Sequence, residues 1–132
     1  MTLQEREARA CDIIDSMAEE LRDVSLYLHH NPELGLNEHK AVKVINQFLE
    51  THNFTSQVGL TDLPELQTAL RGDYNDTAQH KIAFLGEYDA LPELGHGCGH
   101  NLIAMMSLGA AIAFSQSAPE AWGTTFFGCP AE

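Results

Sequence analysis

Lys81-Ile82-Ala83-Phe84-Leu85-Gly86-Glu87-Tyr88-Asp89-Ala90-Leu91-Pro92-Glu93-Leu94-Gly95-His96-Gly97-Cys98-Gly99-His100-Asn101 is the stretch on which the fold turns. Lys81 to Leu85 is an apolar run of strand length that stops at Gly86. From Asn101 to Ser115 the chain is apolar nearly all round, through Leu102, Ile103, Met105, Met106, Leu108, Ala110, Ile112 and Phe114. That predicts a helix buried on most sides. Thr124 to Phe127 predicts a final strand. Strand, loop, buried helix and strand together predict an α/β domain. In open α/β sheets, ligand sites sit past the carboxyl ends of strands, which is where the loop over 86–101 falls.

Upstream, the sequence predicts two leading helices. Thr2-Leu3-Gln4-Glu5 fits a capping box. Ile13, Ile14, Met17, Leu21, Val24 and Leu28 recur at helical steps and mark one apolar face. This helix should stop near His30, because Asn31 precedes Pro32 and is biased away from helical angles. Gly35 permits a turn, and Asn37 can cap a second helix with the stripe Ala41, Val44, Ile45, Phe48, Leu49, ending near Asn53. The pattern then shifts to strands over Phe54–Val58 and Leu66–Arg71, with Gly72 to Asp76 as a connecting turn.

Composition narrows the function classes. The 132 residues carry a formal net charge of −12. Nucleic acid and anionic membrane surfaces bind chiefly through basic side chains, so neither is an expected partner. With 44% hydrophobic residues the chain has the composition of a folded domain. The longest apolar run, Leu102 to Phe114, is too short to span a bilayer. Residues 1–10 lack the apolar core of a signal peptide. Three cysteines, Cys11, Cys98 and Cys129, do not suggest a disulfide framework. The expected setting is a cytoplasmic, reducing one, where the sequons at Asn53 and Asn75 carry no meaning.

The loop over 86–101 gathers the reactive side chains. Gly95, Gly97 and Gly99 alternate with His96, Cys98 and His100. A backbone that yields at every second residue can fold tightly and aim ligands at one point. A lone His or Cys in a loop is ordinarily solvated or packed. Thiolate and imidazole two residues apart, between glycines, at a strand-to-helix junction favour zinc or a similar transition ion. No second Cys or His pair closes a structural zinc site. Glu132 follows the last strand across Pro130, and a carboxylate there can serve as a general base or as a ligand.

Tyr88-Asp89-Ala90-Leu91-Pro92, Gly95-His96-Gly97-Cys98-Gly99-His100-Asn101 and Pro130-Ala131-Glu132 occur in this order, preceded by His30-Asn31-Pro32-Glu33-Leu34-Gly35 with Glu38 and Ala41. On these motifs the whole chain resembles the amino-terminal part of an M-twenty metallopeptidase, of the aminoacylase and carboxypeptidase type. The nearest branch is that of the N-acyl-amino-acid and aminobenzoyl-glutamate hydrolases and the related dipeptidases. The resemblance implies residues 1–132 of a zinc-peptidase-like catalytic domain, cut before a lid or dimerisation domain and before the remaining ligands. It implies two divalent metal ions, zinc or manganese, with Cys98 bridging them and His100 ligating one. Glu132 falls on the general base, the first of an adjacent glutamate pair whose second member would come next. Asp89 matches an acidic residue beside the metals that orients a ligand. Asn101 stands where many relatives have Asp, Gly97 where Ala is frequent, and Cys129 where a small polar residue is usual.

The implied activity is metal-dependent hydrolysis of the amide bond of an N-acyl amino acid or dipeptide, with a homodimer possible for the complete protein. The 132-residue chain by itself is expected to be inactive, and the alternative is a truncated non-catalytic remnant, at most a weak metal-binding or interaction module.

Overall fold

The computed structural model describes all residues from Met1 to Glu132. Four helices, α1 (Leu3–Ser16), α2 (Ala18–His30), α3 (His39–Thr51) and α4 (His100–Ser117), accompany four strands, β1 (Thr55–Val58), β2 (Leu70–Tyr74), β3 (His80–Glu87) and β4 (Trp122–Cys129). The sheet order is β1-β2-β4-β3. β3 and β4 run parallel, joined through α4, and the other two pairings are antiparallel. The architecture is the expected α/β class with a mixed sheet.

Three helices precede the sheet where two were expected. The capping box of α1 forms on both sides, Thr2 with Glu5. The helix is then interrupted at Met17, whose φ of −99° and ψ of 0° lie at the edge of the right-handed helical region. The Met17 N–H is shared between the carbonyls of Ile13 and Ile14, while the Ser16 hydroxyl donates to Ile13 at 2.7 Å. A side chain competing for a helical carbonyl favours such a break, and Met17 turns inward to 3% exposure.

α3 is capped differently from the Asn37 expectation. Glu33 reaches in from the preceding loop and accepts the N–H groups of Lys40 at 3.0 Å and Ala41 at 2.9 Å. A carboxylate at a helix N-terminus is favoured by the orphan donors and by the dipole. Asn37 instead faces the Gly35 carbonyl.

The second strand lies further along than its apolar alternation suggested. β2 takes in Gly72, Asp73 and Tyr74, and the turn falls at Asn75, φ +53°. A Cβ on Gly72 would stand 2.9 Å from Leu49 Cδ1, so glycine lets α3 approach the strand. Asp73 is held inside the sheet by Arg71 at 2.8 Å and the Thr125 hydroxyl at 2.6 Å.

α4 packs against β3 and β4 and against α1 and α2. Ala104, Leu108, Ala111 and Ile112 are fully buried. They join Leu28, Ile45, Leu49 and Phe126 in one core. Gly109 lets α4 lie close to its neighbours, since a Cβ there would be 3.1 Å from Leu21 Cδ1. As expected of a helix buried on most sides, α4 leaves one stripe open: Leu102 and Met106 are 59% and 67% exposed.

Candidate metal centre

Glu87 and Cys129 are register partners at the carboxyl ends of the parallel pair. The chain leaving β3 carries Asp89, the chain leaving β4 carries Glu132, and α4 begins between them in sequence at His100. The loop over 88–95 is pinned from outside, by the Ala90 N–H donating to the Glu33 carbonyl at 2.7 Å. Gly99, at the N-cap of α4, has φ +82°, a left-handed value that L side chains adopt reluctantly. That residue swings the chain into the helix and seats His100 at 7% exposure.

Three of the four expected site residues come together. His100 Nδ1 faces the Asp89 carbonyl at 2.9 Å and Asp89 Oδ1 at 3.0 Å. Both are acceptors, so Nδ1 is the nitrogen that carries the proton. In the neutral ring Nε2 is then the free lone pair, the form in which histidine ligates metals. Nε2 points to Glu132 Oε2 at 3.6 Å, beyond hydrogen-bond length. The Asp89 side chain is 11% exposed and that of Glu132 is 63% exposed. The oriented imidazole is thus enclosed on one side and meets a solvent-facing carboxylate on the other.

Cys98 is not drawn into this line. Its thiol is exposed on the glycine loop. No three His, Cys, Asp or Glu side chains converge closely enough to hold an ion. The donor set still fits a transition metal in its chemistry: a free thiol, an imidazole with its proton fixed on the far nitrogen, and a carboxylate facing the free nitrogen.

Several neighbours take roles that the sequence does not reveal. His96 is half-buried with Nδ1 lacking a partner. Burial, with His100 and His29 adding to it, lowers its pKa. Tyr88 is fully buried and donates its hydroxyl to the Thr68 carbonyl. Burial, with Glu38 adding to it, raises the phenol pKa. Glu38, fully buried, accepts from Leu36, Thr68 and Ala131. In the sequence it stands only as a member of the motif that runs from His30 to Gly35 and on to Ala41. The Asn101 amide donates to Ser25 Oγ at 3.2 Å and to the Ser25 carbonyl at 3.3 Å, tying α4 to α2. An ionised Asp cannot donate there, so the departure at this position has a structural use. Burial raises the Cys129 thiol pKa, with Glu87 adding to the effect.

No family model matches the chain. It is 36% identical over 135 residues to the Xaa-Arg dipeptidase of Mus musculus, a match that covers 94% of this chain and 31% of that protein. It is 30% identical over 141 residues to one component of the p-aminobenzoyl-glutamate hydrolase of Escherichia coli, covering 92% and 28% respectively. Among solved structures, the Bacillus subtilis YXEP protein, described as a dinuclear metal-binding peptidase, superposes with a TM-score of 0.75 at 25% identity, covering 89% of this chain and 36% of that one. The chain therefore spans about a third of the length of the curated relatives it matches.

Proposed function

The chain belongs to the M-twenty peptidase family, and from that premise we propose that it carries part of the active site of a metal-dependent amidohydrolase. Its substrate is an N-acyl amino acid or a dipeptide, cleaved at the amide bond. The observation that carries this reading is the Asp89–His100–Glu132 line, with contacts of 3.0 Å and 3.6 Å. Relatives named for dipeptidase and aminobenzoyl-glutamate hydrolase activity support the bond type.

Cys98 and His100 Nε2 are the residues that would hold divalent ions, zinc or manganese, and thiolate with imidazole favours zinc. Such ions, when bound, polarise a carbonyl and make water nucleophilic near neutral pH. Asp89 keeps the proton on His100 Nδ1 and fixes the ring plane. Glu132, with its exposed carboxylate, takes the proton of the attacking water and delivers it to the leaving amine. The net charge of −12 supports a small-molecule substrate over nucleic acid. No helix is long and apolar enough to cross a membrane. A cytoplasmic location and a homodimer of the complete protein belong to the same proposal.

Hydrolysis of a panel of acyl amino acids and dipeptides tests it, with Glu132→Gln as the control. Metal-dependent turnover lost in the variant is the expected result; turnover that survives the substitution refutes the assigned base. A second reading, weak metal binding without turnover, draws on the lack of three converging ligands. Metal content by plasma mass spectrometry separates the two, because two tightly bound equivalents dismiss the second.

A further inference from the structure

We propose that Glu38 is a positioning residue: its buried carboxylate holds the backbone turn that presents Glu132 to His100. The role of Glu132 rests on the reading above, whereas the hold on the turn rests on geometry alone.

Glu38 occupies the N-cap position of α3, yet its side chain caps nothing. Glu33 performs that task from outside, at 3.0 Å and 2.9 Å from the first free N–H groups. The Glu38 carboxylate is turned inward instead, at 0% exposure. Its Oε1 accepts the N–H of Ala131 at 3.0 Å and that of Leu36 at 3.0 Å, while Oε2 accepts the Thr68 hydroxyl at 2.6 Å. A carboxylate is costly to bury unless its oxygens are satisfied, so this one is placed for what it binds and not for packing.

What it binds is the residue before Glu132. Ala131 has φ +55°, a left-handed value that a β-carbon makes unfavourable. Such backbone persists where its surroundings over-determine it. Two surroundings do so here. One is the Glu38 hydrogen bond. The other is Gly35, where an added Cβ would stand 2.9 Å from Ala131 Cβ, so the 35–38 turn lies directly against the 130–132 turn. Because Ala131 is fixed, the carboxylate one residue on arrives at 3.6 Å from His100 Nε2.

The test is amide hydrogen exchange of Ala131, read by NMR on the full 132-residue chain, with the Phe126 amide inside β4 as the internal control. Glu38→Leu removes both acceptors at similar size. It should speed Ala131 exchange about tenfold or more, the scale of a hydrogen bond to a charged group, and leave Phe126 unchanged. Glu38→Gln should rescue protection, because its carbonyl can take both N–H groups while its amide donates to the Thr68 hydroxyl. An unchanged Ala131 in Glu38→Leu, or a Gln variant as loose as the Leu one, overturns the proposal. If Glu38→Leu does not fold, Thr68→Val carries the test: Ala131 should loosen while Phe126 holds, and an unchanged Ala131 overturns the proposal. In the hydrolysis assay, Glu38→Leu should lower kcat more than it raises KM, and Glu38→Gln should restore kcat. Loosening of Ala131 together with an active Glu132→Gln would leave the positioning intact and remove the base.

Discussion

Two acid–base pairs mark the two ends of β3, and they differ in enclosure and in direction. At its amino end, Asp76 meets Lys81 at 2.5 Å, with side chains 62% and 42% exposed. After it, Asp89 meets His100 at 3.0 Å, with side chains 11% and 9% exposed. The first pair is the closer one, yet water competes for both partners. An exposed ion pair of this kind contributes little. The second pair is enclosed, takes one nitrogen of the imidazole, and aims the other at Glu132. Enclosure and direction, more than contact distance, make the carboxyl end of the parallel strands the candidate place for chemistry.

The contrast is broken most easily at Glu132. In hydrolysis assays Glu132→Gln should lower kcat by about 10²- to 10⁴-fold, the range for losing a positioned general base, while Asp76→Asn leaves the rate unchanged. Equal effects of the two substitutions would erase the distinction. Next comes Asp89→Asn, which should weaken divalent-metal affinity by about 10- to 100-fold, as loss of a ligand-orienting carboxylate does. Competition titration against a chelating dye measures it.

A smaller effect separates the cysteines. At mildly alkaline pH the exposed Cys11 and Cys98 should react with iodoacetamide before Cys129, whose thiol burial pushes upward in pKa. Peptide mass mapping reads the order, and zinc should slow Cys98 but not Cys11. The smallest effect belongs to Asp76. The hydrogen bond from Lys81 holds its carboxyl below the usual 3.8, with the charge of Lys81 adding to it. Between the two pKa values the unfolded chain binds more protons than the folded one, so stability falls there as pH drops. The contribution is complete above 3.8 and fades as the pH falls through the lower folded value. Urea midpoints of the native chain and Asp76→Asn should therefore differ slightly near neutrality in low salt, and converge in acid or at high ionic strength.

How far the sequence could be read follows the same division. The loop over 86–101 was legible because glycines, histidines and a cysteine stand together beside a strand and a buried helix. Its position past β3 follows from that order of elements, and Asp89, His100 and Glu132, which the resemblance singles out, meet there. The break at Met17 was not legible, since the apolar face runs unbroken through it and only the backbone hydrogen bonds reveal it. The start of β2 was missed because Leu66 alternates as a strand residue would, while Gly72 and Asp73 have turn-like identities that packing against Leu49 and bonding to Thr125 override. Glu38 and Asn101 were visible as letters but not as roles, because their partners lie 93 and 76 positions away.

The proposed function stands or falls on whether the glycine loop and the start of α4 hold a divalent transition ion through Cys98 and His100. Cobalt(II) titration followed by absorption spectroscopy is the sharpest check, since a thiolate ligand to this ion produces a near-ultraviolet charge-transfer band. The band should appear in the native chain, vanish in Cys98→Ser, and persist in Cys11→Ser and Cys129→Ser. No band, or a band that survives Cys98→Ser, would contradict the assignment.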